Sequence, residues 1–129
     1  MSKGTILVVD DTPGKVRKVR KAAESAGYEV LSTSVLEVAK NFLEENKPVA
    51  IVLDGEFFLR VGDEETEDRA GNQLLSWLEE ERKKIPVLGF SYVHFVTSYS
   101  HFWGQMGMIF NGNMFEKFLF SLPTRKDQG

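Results

Sequence analysis

The sequence predicts an α/β domain built on a parallel sheet with helices on both faces. Three observations lead there. Short, mostly apolar runs recur along the chain, among them Ile6-Leu7-Val8-Val9, Ala50-Ile51-Val52-Leu53 and Val87-Leu88-Gly89-Phe90, and runs this continuous read as strands buried on both faces. Between them, apolar residues return at helical spacing. The first two runs each end on acid, Asp10-Asp11 and Asp54, so two buried strands deliver carboxylates to one sheet edge, where open α/β sheets keep their sites. Right-handed crossovers then put helices on both faces.

Composition sets the limits. With 129 residues, 42% hydrophobic and 27% charged, the chain supports one domain with a real core, spanning 1–129, and is too short for two. Cysteine is absent, which excludes disulfides and thiol catalysis. A net charge of −3 and a pI near 5.4 argue against a nucleic-acid surface. No apolar stretch is long enough to cross a bilayer and the N-terminus lacks a signal-peptide pattern, so no membrane partner and a cytoplasmic location are expected.

In chain order, the first strand hands over at Thr12-Pro13-Gly14, where Thr12 suits a helix cap and Pro13 its first turn. Val16, Val19, Ala23 and Ala26 form the apolar stripe of the first helix, and Gly27 stops it. Lys15, Arg17, Lys18, Arg20 and Lys21 read as its solvated face, or as a docking surface for an acidic partner. Tyr28 to Leu31 is a second strand. Ser34 with Glu37 has capping-box spacing for a helix buried through Val35, Val38, Ala39, Phe42 and Leu43, and Pro48 separates it from the strand that ends at Asp54.

Residues 55–70 form a long irregular segment, of the kind that is either mobile or functional, as a lid or partner contact. Leu74, Leu75 and Leu78 mark a third helix. Ile85 to Ser91 is the fourth strand, started by Pro86 and carrying the Ser91 hydroxyl to the acidic edge. Tyr92, Phe95, Tyr99 and Phe102 recur at helical spacing, which predicts a helix over Val93 to Trp103. Gly107 to Phe110 reads as the fifth strand. Asn113 with Glu116 has the spacing of a cap for a last helix buried through Phe115, Phe118, Leu119 and Leu122, ended by Pro123 and followed by a frayed tail over 124–129.

Three carboxylates in one crevice repel unless one is protonated or a cation intervenes. A site with oxygen donors and no His or Cys suits magnesium, which takes one or two carboxylates together with phosphate oxygens. Asp54 is then a nucleophile for a phosphoryl group, with the Ser91 hydroxyl donating to a phosphate oxygen.

The strand ending Asp10-Asp11, the strand ending Asp54, the Pro86-to-Ser91 strand and the β-α alternation together resemble the receiver domains of two-component response regulators, over nearly the whole chain. The resemblance implies a flavodoxin-like, doubly wound five-stranded sheet of order 2-1-3-4-5. It puts the phosphoacceptor at Asp54, the direct metal ligand at Asp11, its water-mediated neighbour at Asp10, a metal-binding backbone carbonyl at Glu56 and the switch hydroxyl at Ser91, with Mg2+ as cofactor. It also implies a histidine kinase or phosphotransfer protein upstream and a protein target downstream, and leaves a homodimer open. Three departures stand out. Asn111-Gly112 replaces the family's lysine and proline after the fifth strand, Tyr92 replaces a small residue beside the switch hydroxyl, and Met108 replaces the aromatic switch.

The expected function is thus a stand-alone, atypical receiver that accepts a phosphoryl group on Asp54 and signals by protein contact. The alternative is an interaction module of the same fold that works without phosphate, as the lysine loss suggests. An enzyme is the least favoured reading. A haloacid-dehalogenase-type phosphatase needs a second Asp two residues after its nucleophile, and Thr12 stands two after Asp10. A flavodoxin needs a hydroxyl-rich phosphate loop after its first strand.

Overall fold

A computed structural model describes residues 2–123. The strands are β1 (Thr5–Val9), β2 (Glu29–Thr33), β3 (Ala50–Leu53), β4 (Val87–Phe90) and β5 (Phe102–Met106), and the helices are α1 (Pro13–Ser25), α2 (Leu36–Glu45), α3 (Ala70–Glu80) and α4 (Gly112–Ser121). The five strands form one sheet of order β2-β1-β3-β4-β5, and every pairing is parallel. This is the predicted doubly wound order. No helix among the described residues is long and apolar enough to cross a membrane.

Alternation along the strands divides the core in two. Leu7, Val9, Ile51, Leu53 and Val87 face the layer of α2 and α3, whereas Ile6, Val8, Val52, Leu88 and Phe90 face α1 and α4. Because both faces are covered, the strands must be apolar at nearly every position, as the sequence showed. The parallel arrangement brings the C-terminal ends of β1, β3 and β4 to one edge. There Asp10 N–H bonds the Thr33 carbonyl at 3.0 Å and Asp54 N–H the Val9 carbonyl at 2.8 Å, so ladder bonds fix the backbone beneath both carboxylates.

The chain after β4 departs from the sequence reading. No helix forms over Val93 to Trp103. Of the aromatic stripe, Phe95 and Tyr99 enter the core beside α3, Phe102 is half-buried and Tyr92 is exposed. Side chains rather than helical carbonyls take the backbone N–H groups. Ser91 Oγ accepts from Val93 N, Asn72 Oδ1 from Val96 N, and Thr97 Oγ1 from Tyr99 N. Gln105 Nε2 donates to the carbonyls of both Ser91 and Val93. Such local bonds from Ser, Thr and Asn compete with helix formation. Tyr99 anchors the segment, its hydroxyl bonding the backbone of Lys83 and Ile85.

The fifth strand is accordingly Phe102–Met106 and not Gly107 to Phe110. Residues 107–109 of the run expected as that strand are exposed, Met108 at 69% and Ile109 at 82%, and Phe110 packs against the core. The last helix starts one residue after Asn111, whose side chain accepts the Met114 N–H at 3.0 Å, so Asn111 caps it in place of Asn113. Nor does the Ser34/Glu37 box cap α2. The carbonyls of Phe58 and Leu59 accept the Leu36 and Glu37 N–H groups. Phe57 is fully buried, so the first part of the 55–70 segment is a pinned ribbon along α2, and its exposed residues are 60–65, 68 and 69.

Candidate functional site

Asp10, Asp11 and Asp54 converge, each offering a carboxylate oxygen within 4.8 Å of the others. Asp10 and Asp54 are buried and Asp11 is half-buried. Asp11 and Asp54 line a cleft of about 440 Å³ beside Thr12, Lys15, Glu56, Tyr92 and Met108. Two contacts orient the buried pair. Asp10 Oδ1 accepts the Thr12 N–H at 2.9 Å, and Asp54 Oδ1 accepts the Gly55 N–H at 2.7 Å. The Gly55 contact fixes the Asp54 carboxylate at the wall of the cleft.

Glycine allows the close packing around Asp54. A Cβ on Gly71, in the first turn of α3, would lie 2.5 Å from the Asp54 carbonyl oxygen and 2.8 Å from the Phe95 ring, and the Gly71 N–H bonds the Gly55 carbonyl at 3.0 Å. A Cβ on Gly55 would meet Val93 at 2.6 Å. The peptide carrying the carboxylate is therefore clamped between α3 and the irregular segment after β4.

The charge is partly balanced from an unexpected source. Lys15, in the first turn of α1, turns inward, and its Nζ lies 3.0 Å from Asp10 Oδ2 and 3.3 Å from Asp54 Oδ1. It also donates to the Phe90 carbonyl at 2.6 Å. Even so, burial, and after it the Asp54 charge, pushes the Asp10 carboxyl up to about 6, against the opposing pull of the Thr12 N–H and the Lys15 ammonium. Burial, followed by the hydrogen bond and charge of Asp54, raises Asp11 as well. One lysine does not neutralise three crowded acids.

Of the other residues singled out from sequence, Ser91 is buried at the end of β4, beside Gly55, with its Oγ accepting the Val93 N–H at 3.0 Å. Glu56 lines the cleft and its carboxylate accepts a hydrogen bond from the Thr66 hydroxyl. Tyr92 also lines it and is largely exposed. Asn111 is not in the cleft. It is the exposed cap of α4, and the residue after β5 that borders the acids is Met108. Sequence reasoning missed Lys15, assigning it to a solvated face. The available signal was its position: a basic residue in a first helical turn opposes the helix dipole, and this one follows an acid pair by four residues.

The donor set fits a hard divalent cation. Three clustered carboxylates supply anionic oxygen and no soft ligand, as magnesium requires, and residual repulsion between them is what a cation would relieve. Asp10, Asp11 and Asp54 would hold it, and it would supply neutralising positive charge there.

No protein-family model and no curated protein matches the sequence. The fold does match solved structures. A CheY-like response regulator receiver domain from Methylobacillus flagellatus superposes with a TM-score of 0.73 at 15% identity, over 93% of this chain and 98% of that one. The signal receiver domain of an HD domain-containing protein from Pseudomonas fluorescens Pf-5 gives 0.72 at 10% identity, over 92% of each chain. That of a signal transduction histidine kinase from Syntrophus aciditrophicus gives 0.69 at 19% identity, over 91% and 87%. At these identities the likeness establishes the fold.

Proposed function

From a chain with the receiver fold, we propose an atypical receiver for phosphoryl signalling, with Asp54 as the acceptor. The observation that carries this is the convergence of Asp10, Asp11 and Asp54 at the C-terminal edge of the sheet, with Asp54 Oδ1 held by the Gly55 N–H and Asp54 lining the cleft. In the reaction, an Asp54 carboxylate oxygen attacks phosphorus and forms a P–O bond. The donor's P–N bond to histidine, or P–O bond in acetyl phosphate, breaks, and imidazole or acetate departs with the electron pair. Asp10, Asp11 and Asp54, with the Glu56 backbone carbonyl, would hold Mg2+, which would supply positive charge to the phosphoryl oxygens, and the Ser91 hydroxyl donates to one of those oxygens. Upstream, a histidine kinase or phosphotransfer protein supplies the phosphoryl group. Downstream, a protein contact carries the signal, in the cytoplasm and without catalysis of a metabolic reaction.

The test is the intact mass after incubation with acetyl phosphate and magnesium. The parent gains one phosphoryl group, about 80 Da on general chemical grounds, and Asp54→Asn gains none. A parent that never gains mass while folded refutes the proposal. The second reading, a module that signals by contact without phosphate, is favoured by Asn111, the residue read in place of the family's lysine, lying outside the cleft, and by Lys15 already engaging Asp10 and Asp54.

A further inference from the structure

Among the five basic residues read from sequence on α1, one behaves differently. Arg17, Lys18 and Lys21 are exposed, and Arg20 bonds the Val30 carbonyl and the Ser32 hydroxyl of β2. Lys15 instead crosses the sheet edge. Helical side chains lean toward the helix N-terminus, and α1 begins three residues after Asp10, so a lysine in its first turn reaches back over the strand ends. There it meets three oxygens, from Asp10, Asp54 and the Phe90 carbonyl. An ammonium has three N–H donors, so each has an acceptor. The charge also sits 4.6 Å from the centre of the Phe90 ring, a favourable cation–π distance.

Two costs show that this is a built contact. The positive end of the helix dipole repels a lysine in the first turn, and α1 has no acidic residue there to offset it. Placing the ammonium with only 19% of the side chain exposed also removes hydration. Both costs are met by the Asp10–Asp54 pair. Among the described residues bordering the cleft, Lys15 is the cationic one.

We propose that Lys15 is the tethered resident cation of the acidic cleft. It holds Asp10 and Asp54 together in the metal-free protein, and a divalent ion binds by displacing it from them. Magnesium affinity is thereby set low, and the displaced ammonium stays within reach of the cleft as counter-charge for an anion on Asp54. This rests on the receiver reading for its purpose but not for its test, which measures metal binding and stability without any phosphoryl donor.

The test compares the parent with Lys15→Met, which keeps most of the stem, and with Lys18→Met, which removes the same charge from an exposed site on the same helix. Mg2+ binding is followed by NMR titration of the Gly55 amide, and thermal midpoints are taken in EDTA and in millimolar Mg2+. Lys15→Met is expected to bind Mg2+ about tenfold more tightly than Lys18→Met. It should melt below the parent in EDTA, with the gap closing in Mg2+. Equal affinities for the two variants, or no Mg2+ binding by any of them, overturn the proposal. Should Lys15→Met not fold, the parent alone decides: Mg2+ saturation must shift the Lys15 side-chain resonances together with the Gly55 amide, and unmoved Lys15 resonances refute displacement. Failure of Asp54 to accept phosphate while Lys15 is displaced by Mg2+ would refute the receiver function and leave this inference standing.

Discussion

Replacing Asp10 by Asn should change how stability depends on pH. The native carboxyl is pushed up to about 6 from an ordinary value of 3.8, a gap worth on the order of 3 kcal/mol at about 1.4 kcal/mol per unit. Asp10 is only 5% exposed, so solvent screening takes little from that figure. The sign follows from proton uptake. Native Asp10 keeps its proton to higher pH than the unfolded chain does, so its contribution is most favourable below about pH 4. It is lost as pH rises through 6 and is constant above. In Asp10→Asn the amide oxygen would still accept the Thr12 N–H, while the titration and the ion pair to Lys15 are lost. Urea midpoints from pH 4 to 7.5, in EDTA, for parent and Asp10→Asn follow the effect of the acidic cluster, because carboxylates away from the cleft cancel in the difference. The parent should lose on the order of 3 kcal/mol relative to the variant across that window. Parallel curves, or a parent that gains on the variant as pH rises, would refute the assignment of a raised Asp10.

Gly71→Ala should destabilise by about 1–3 kcal/mol through the clash with the Asp54 carbonyl and Phe95, although helix propensity alone predicts a gain of up to about 1 kcal/mol; thermal melts that show a gain would mean the clamp over Asp54 is loose. Met108→Lys puts a second cation at the cleft and should raise the yield or rate of phosphorylation by acetyl phosphate, whereas Asn111→Lys, at the exposed cap of α4, should leave both unchanged. Mass spectrometry separates these outcomes, and a stimulation by Asn111→Lys alone would reverse the placement of the two positions.

The sheet and its acidic edge were legible in the sequence because one physical constraint writes both. Strands covered on two faces must be apolar throughout, so Ile6 to Val9 and Ala50 to Leu53 stand out, and an acid directly after such a run can only emerge at the sheet edge. Asp10, Asp11 and Asp54 therefore needed no coordinates to be brought together. Residues 92–111 were another matter. Periodicity singled out Phe95 and Tyr99, which are buried, together with Tyr92, which is exposed, and burial does not specify the backbone that achieves it. Side chains of Ser91, Asn72, Thr97 and Gln105 bond the backbone there, and two of those residues are distant in sequence. The same limit displaced the fifth strand. Phe102–Met106 pairs with β4 because Tyr99 and Phe95 fix where the chain arrives, whereas Met108 and Ile109 look more strand-like and lie exposed. Lys15 shows the limit most plainly. Its identity and its helix could be read from the chain, but its contacts with Asp54 and Phe90 join residues dozens of positions apart, and only the folded sheet edge determines that a lysine on a basic helix turns inward to meet buried acids.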